Sequence, residues 1–213
     1  MVAGPGFARV SMSFSVLNHR LCLDGRPVGF RQSPHGGRAM TPRHLILHYT
    51  AGLTARSAIG WFLDPRAKAS AHLVLDRQGE VTQMMAFDRT CWHCGQSSWQ
   101  GVSGLNSQSI GIEMVNAGRL AKGAGGRWRT WTGEAVPDGE VVVARHRHEG
   151  ADAGWHAYPA AQVAAAIAIG RALRAAYGFA SVLGHEDIAP RRKVDPGPAF
   201  PLAEVAAQIL ERG

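Results

Sequence analysis

The sequence predicts one domain of mixed α/β class, and three observations carry that reading. At 213 residues the chain suits a single domain with room for an insertion. Short apolar runs at Leu45-Ile46-Leu47, Ser109 to Asn116 and Ser181-Val182-Leu183 have the length of buried strands. Stretches of helical periodicity stand between and after them, near 54–63, 159–177 and 202–211.

The elements follow in order. Residues 1–40 read as an irregular, basic leader, and Met12 is an alternative start. The run Leu45-Ile46-Leu47 ends in His48-Tyr49-Thr50-Ala51-Gly52, which puts His48 at a strand end beside a glycine turn. Thr54 caps a helix that Asp64-Pro65 stops. Ser70 to Gln83 reads as a hairpin turning at Gly79, with His72 in its first strand. A lone strand histidine is more often a hydrogen-bonded core residue than a ligand. Cys91-Trp92-His93-Cys94 lacks the second ligand pair of a zinc knuckle and the following helix of a redox motif. It reads as two small buried residues around a loop histidine. The Ser, Gly and Gln between Trp99 and Asn106 suit a polar cleft.

In the strand from Ser109, Ile110, Ile112 and Met114 share one face, and Gly111, Glu113 and Val115 the other. A carboxylate inside an apolar strand is costly unless paired or working. Glu113 is thus either half of an ion pair with an arginine or a proton-transfer group whose pKa burial has raised. Residues 117–158 lack the apolar periodicity of a separate core and read as an insertion or lid. Trp128, Trp131 and Trp155 either cover a cleft or pin this segment, and His146, His148 and His156 read as solvated or structural within it. Pro159 opens a helix carrying Val163, Ile167, Gly170, Leu173 and Tyr177 at helical spacing, and Gly178 closes it. Leu202 to Glu211 forms a short amphipathic helix.

Composition narrows the classes. Three cysteines argue against a disulfide framework and for a reducing compartment. No signal peptide and no apolar run of roughly 20 residues is visible, so a cytoplasmic protein without a membrane span is expected. Release as a phage endolysin or export as an effector fits equally. The net charge of +7 suits an anionic partner such as an envelope polymer. It is spread along the chain with no recognition motif, so no nucleic-acid partner is expected.

The segment GHEDIAPRRKVDPGP (184–198) packs His185, Lys193 and Asp195 between prolines that stiffen it. Lys193 and Asp195, two apart in an extended segment, point to one side. His48, His185 and Asp195 together make three zinc-compatible ligands with a fourth position left for water. Glu113 adds a proton-transfer group and Lys193 a cation, a set suited to metal-assisted hydrolysis of an amide.

In this order, HLILHYTAG (44–52), SAHLVLDRQGEVTQ (70–83), CWHCGQSSWQG (91–101), SQSIGIEMVNAG (107–118) and GHEDIAPRRKVDPGP resemble the zinc-dependent N-acetylmuramoyl-L-alanine amidases. That group includes AmpD, phage T7-type lysozyme amidases and animal peptidoglycan-recognition proteins. The resemblance spans roughly 43–211. It implies a mixed central β-sheet flanked by helices, the amidase type 2 or T7-lysozyme-like fold, as one catalytic domain over 41–213 with a lid-like insertion at about 117–158. It implies one Zn2+ on His48, His185 and Asp195, catalysis by Glu113 and Lys193, and substrate contacts from His72, Trp92, His93 and Asn106. The implied partner is peptidoglycan or a muropeptide, cut between the lactyl group of N-acetylmuramic acid and L-alanine. Asp195 at the third ligand position, and Ala71 where other branches carry a tyrosine, place the resemblance on the AmpD side. Cys91 and Cys94 depart from the small residues usual there and leave a local disulfide or an adventitious metal open. A peptidoglycan-binding module without catalysis is the alternative reading.

Overall fold

A computed structural model describes residues 13–211. Its centre is a six-stranded mixed sheet in the order Ser181–Gly184, His44–Tyr49, Ser109–Met114, Leu73–Leu75, Val81–Gln83, Gly29–Phe30. The first four of these strands run parallel to one another. Leu73–Leu75 and Val81–Gln83 form the expected antiparallel hairpin, with Gly79 at φ +93° in its turn. The register sets Glu113 beside His48 and Gly184 beside Leu47. Three neighbouring parallel strands therefore deliver His48, Glu113 and His185 at their carboxyl ends, where open α/β sheets bind ligands.

The strand pattern explains the layers. Leu45, Leu47, Ile110, Ile112 and Met114 face the helices Ala160–Tyr177 and Leu202–Leu210 through Ala165, Ile169, Leu173, Val205 and Ile209, all buried. The two helices cross closely at Gly170, where a Cβ would overlap Ile209. Gly178, at φ +63°, ends the long helix as a left-handed cap. The sheet's other face packs under the helix Ala55–Leu63, through Ala58, Phe62, Val74 and Val115. Thr54 accepts the Ser57 N–H at 3.2 Å, the expected N-cap.

Two segments are more regular than the sequence suggests. From Phe14 the expected leader is folded: Phe14–Leu17, Arg20–Leu23 and Arg26–Pro27 form a small antiparallel sheet. Gly29–Phe30 joins the main sheet, Gly36–Ala39 pairs with Arg89–Cys91, and Leu21 is fully buried. These strands are two to four residues long and turn through Asn18, His19, Asp24 and Gly25, all at positive φ, so no periodicity has room to show. Residues 1–12, with Met12, lie outside the described residues. The insertion is likewise a four-stranded antiparallel sheet, Trp128–Arg129, Arg119–Lys122, Asp152–His156 and Val141–Arg145. Trp155 is buried and donates to the Ala144 carbonyl at 3.1 Å, so it pins the insertion, while Trp131 stays 76% exposed. Among the described residues no helix is long and apolar enough to cross a membrane.

A candidate metal centre in a polar cleft

His48 ends its strand, His185 follows the strand Ser181–Gly184 directly, and Asp195 arrives on the proline-stiffened loop. Their inward atoms converge. His48 Nδ1 lies 3.0 Å from His185 Nδ1 and 3.1 Å from Asp195 Oδ2, and His185 Nδ1 lies 3.0 Å from the same oxygen. All three residues are buried. Among the described residues this is the one His, Cys, Asp and Glu group close enough to hold a metal ion. Burial, then the neighbouring His185, pushes the His48 imidazole down to about 4, toward the neutral form a metal needs. Burial pushes the Asp195 carboxyl up, but the His185 and His48 rings beside it outweigh that and hold it below the usual carboxylate range.

The far sides of the ligands are also held, as metal ligands usually are. His185 Nε2 donates to the Cys94 carbonyl at 3.0 Å, and His48 Nε2 lies 3.0 Å from His93 Nδ1. The loop is tied at several points. Glu186 N–H donates to the Asp195 carbonyl at 2.9 Å, Gly184 N–H to Asp187 Oδ2 at 2.7 Å, and Tyr158 Oη to the Pro196 carbonyl at 2.9 Å. Glu186 Oε2 further binds His146 Nε2 of the insertion at 2.7 Å.

The triad opens on a cavity of about 430 Å³. Glu113, Lys193, Arg192, Trp61, Trp92 and Thr50 stand in its wall. A larger cavity of about 920 Å³ lies between the insertion and the C-terminal helix, away from the converging ligands. Glu113 is half-buried as a residue, yet its Oε2 is sealed from solvent and has no hydrogen-bond partner in the protein. The arginine ion pair open at the sequence level is therefore not made. Burial first, then the Asp195 charge, pushes the Glu113 carboxyl well above its usual value, and Lys193 opposes this.

Lys193 and Trp92 line the cleft, with Trp92 45% exposed and tilted against His35 at 5.3 Å. Two expected substrate contacts, His72 and Asn106, lie outside the cleft lining. His72 is fully buried, receives the Gly111 N–H on Nδ1 at 3.0 Å and donates from Nε2 to the Arg89 carbonyl at 2.8 Å. With both nitrogens engaged by main chain and no edge in the cleft, it is a core residue. Asn106 Oδ1 accepts the N–H groups of His93 and Cys94 at 3.0 and 2.8 Å and fixes that loop from behind. His93 is 6% exposed and borders the cleft, with its nitrogens turned to His48 and Ser109. Cys22, Cys91 and Cys94 are free buried thiols, so no disulfide bridges the Cys-Trp-His-Cys segment. Trp61 and Arg192 also line the cleft without having stood out in the sequence, and the Arg192 guanidinium donates to the Cys94 and Gln96 carbonyls at 2.7 and 2.8 Å. Trp61 is the exposed face of an amphipathic helix and could have been read from periodicity; Arg192 carried no signal beyond its charge.

Two imidazoles and one carboxylate, open on one side to a polar cleft with a second carboxyl group and an ammonium, make a donor set that could hold a metal ion. The family model for N-acetylmuramoyl-L-alanine amidase matches residues 38–198, and the chain belongs to that family. It is similar to the 1,6-anhydro-N-acetylmuramyl-L-alanine amidase AmpD of Escherichia coli K12, 35% identical over 135 residues, 62% of this chain and 54% of that protein. It is similar also to the N-acetylmuramoyl-L-alanine amidase AmiD of the same strain, 29% identical over 174 residues, 77% and 52% of the two chains. The structure of E. coli AmiD with the substrate anhydro-N-acetylmuramic acid-L-Ala-D-gamma-Glu-L-Lys matches with a TM-score of 0.59 at 26% identity, over 92% of this chain and 65% of that one. The chain spans about half the length of the curated relatives it matches.

Proposed function

We propose that this chain hydrolyses the amide between the lactyl group of N-acetylmuramic acid and L-alanine, in muropeptides, as a Zn2+ enzyme. The observation that carries the reading is the meeting of His48, His185 and Asp195 within about 3 Å beside the partnerless carboxyl oxygen of Glu113. The donor set fits zinc: two imidazole nitrogens and one carboxylate, backed by outer hydrogen bonds, with one side open. Bound there, Zn2+ would supply a Lewis acid that polarises the scissile carbonyl and acidifies water toward neutrality.

The chain's own residues do the rest. Glu113 takes the proton of the attacking water on its free oxygen, then returns it to the leaving amine of L-alanine. Its raised pKa makes it a better acid in the second step. Lys193 faces the developing oxyanion with an ammonium. Trp92 and Trp61 offer flat apolar faces to the sugar or peptide, and Arg192 adds positive charge for stem-peptide carboxylates.

The relatives point to anhydro-muropeptides as the substrate class, which fits a recycling role. The positive charge fits contact with an intact anionic wall, the endolysin or effector role. Mass analysis of products from a soluble anhydro-muropeptide and from intact sacculi, with and without a chelator, tests both. Free stem peptide released only without chelator is the expected result. Binding to either substrate with no cleavage would favour the non-catalytic peptidoglycan-binding module.

A further inference from the structure

Sequence expectation puts His93 against the substrate, but its hydrogen bonds argue for another task. Two atoms of Ser109 lie 3.3 Å from His93 Nε2, the carbonyl oxygen and Oγ. The carbonyl oxygen only accepts. The hydroxyl already donates its hydrogen to the Leu105 carbonyl at 2.6 Å, so it too is an acceptor here. His93 Nε2 is therefore the N–H of the ring, and Nδ1 holds the lone pair. That lone pair meets His48 Nε2 at 3.0 Å, so His48 Nε2 is the donor. A neutral imidazole carries one N–H, which leaves His48 Nδ1 bare and aimed at His185 and Asp195.

We propose that His93 is a positioning residue: the chain from Leu105 through Ser109 and His93 sets the tautomer of His48 and turns the Nδ1 lone pair to the metal. Cys94 Sγ, 3.3 Å from His93 Nδ1, is a weak donor and so agrees with an acceptor at that nitrogen. Gly111 makes the arrangement possible. A Cβ there would stand 2.5 Å from His93 Nδ1 and 2.6 Å from its Cγ, so only glycine lets the ring lie on the strand. The opposite tautomer of His48 would place a hydrogen between the three ligand atoms and leave two bare nitrogens, on His48 and His93, facing each other.

The inference rests on the metal reading above, and its test separates the two. Zn2+ affinity is measured on the full chain by competition with a chromophoric chelator. His93→Phe keeps the ring volume and removes the acceptor; His93→Asn returns an amide oxygen near Nδ1. Loss of such an outer partner typically costs about 10- to 100-fold in metal affinity. His93→Phe is expected to weaken Zn2+ binding by that factor, and His93→Asn to recover most of it. Native-like affinity in His93→Phe, or no recovery in His93→Asn, would overturn the relay while leaving a zinc-binding native chain intact as a metal protein. A native chain that binds no Zn2+ would overturn both. A second readout needs no variant: nitrogen NMR of the metal-stripped native chain should show His48 and His93 each protonated on Nε2, and a His48 protonated mainly on Nδ1 would overturn the relay.

Discussion

The residues that hold and the residues that react are built on different terms. Behind the ligands, the outer nitrogens of His48 and His185 have named partners, and the segment 184–198 carrying Asp195 is tied by three further hydrogen bonds. In the reacting pair, Glu113 Oε2 is buried with no partner, and Lys193 makes no salt bridge among the described residues. An unsatisfied buried oxygen costs on the order of 1–3 kcal/mol. A fold that accepts this beside a triad held from behind separates holding from reacting: the braced ligands fix an ion, and the reacting pair keeps its valences for the reactants.

That contrast breaks first on the ligand side. His185→Ala is expected to abolish both stoichiometric Zn2+ binding and turnover, measured by metal analysis and product release. The reacting pair should separate the two properties. Glu113→Gln is expected to keep one Zn2+ and lose about 10²–10⁴ in kcat, as for a general acid–base group. Lys193→Met should keep the metal and lose about 10²–10³, as for an oxyanion donor. If either variant lost the ion, the division of labour between ligands and reacting pair would be wrong.

Glu113 sharpens the comparison through pH. Its folded-state pKa is raised, so the folded chain holds that proton more tightly than the unfolded chain does. The stability linked to this proton is full below the ordinary glutamate value, ~4.3, and is lost as pH rises through the raised folded value. Glu113→Gln removes the loss. In the metal-stripped chain it should raise Tm at neutral and alkaline pH, with the gain shrinking to nothing in acid. Smaller is the effect behind the ligands. Asn106→Ala strands the N–H groups of His93 and Cys94 and is expected to cost about 1–3 kcal/mol, read by chemical denaturation.

How much of this was legible in the sequence follows from how local each feature is. His48 and His185 close short apolar runs, and Asp195 sits in a stiff loop, so strand ends and prolines point to them directly. Glu113 emerges from simple alternation, and the observed faces of Ser109–Met114 agree with it. The helices at 55–63, 160–177 and 202–210 carry their caps and periodicity in one contiguous stretch. The strands of 14–39 and of the insertion do not, because two to five residues with positive-φ turns hold too little pattern. The work of His93 was hidden for a different reason. It depends on residues 45 positions before it and 16 after it, joined only by the fold. His146 is similar: it is structural rather than solvated, and its partner Glu186 lies 40 residues on, out of reach of any local pattern.

The central claim is one ion on three side chains, and titrating the metal-stripped chain with Zn2+ tests it most directly. The account predicts turnover rising in proportion to added metal and levelling at one equivalent, with no such rise in Asp195→Ala. Full turnover in the stripped chain, or a native response in Asp195→Ala, would contradict it.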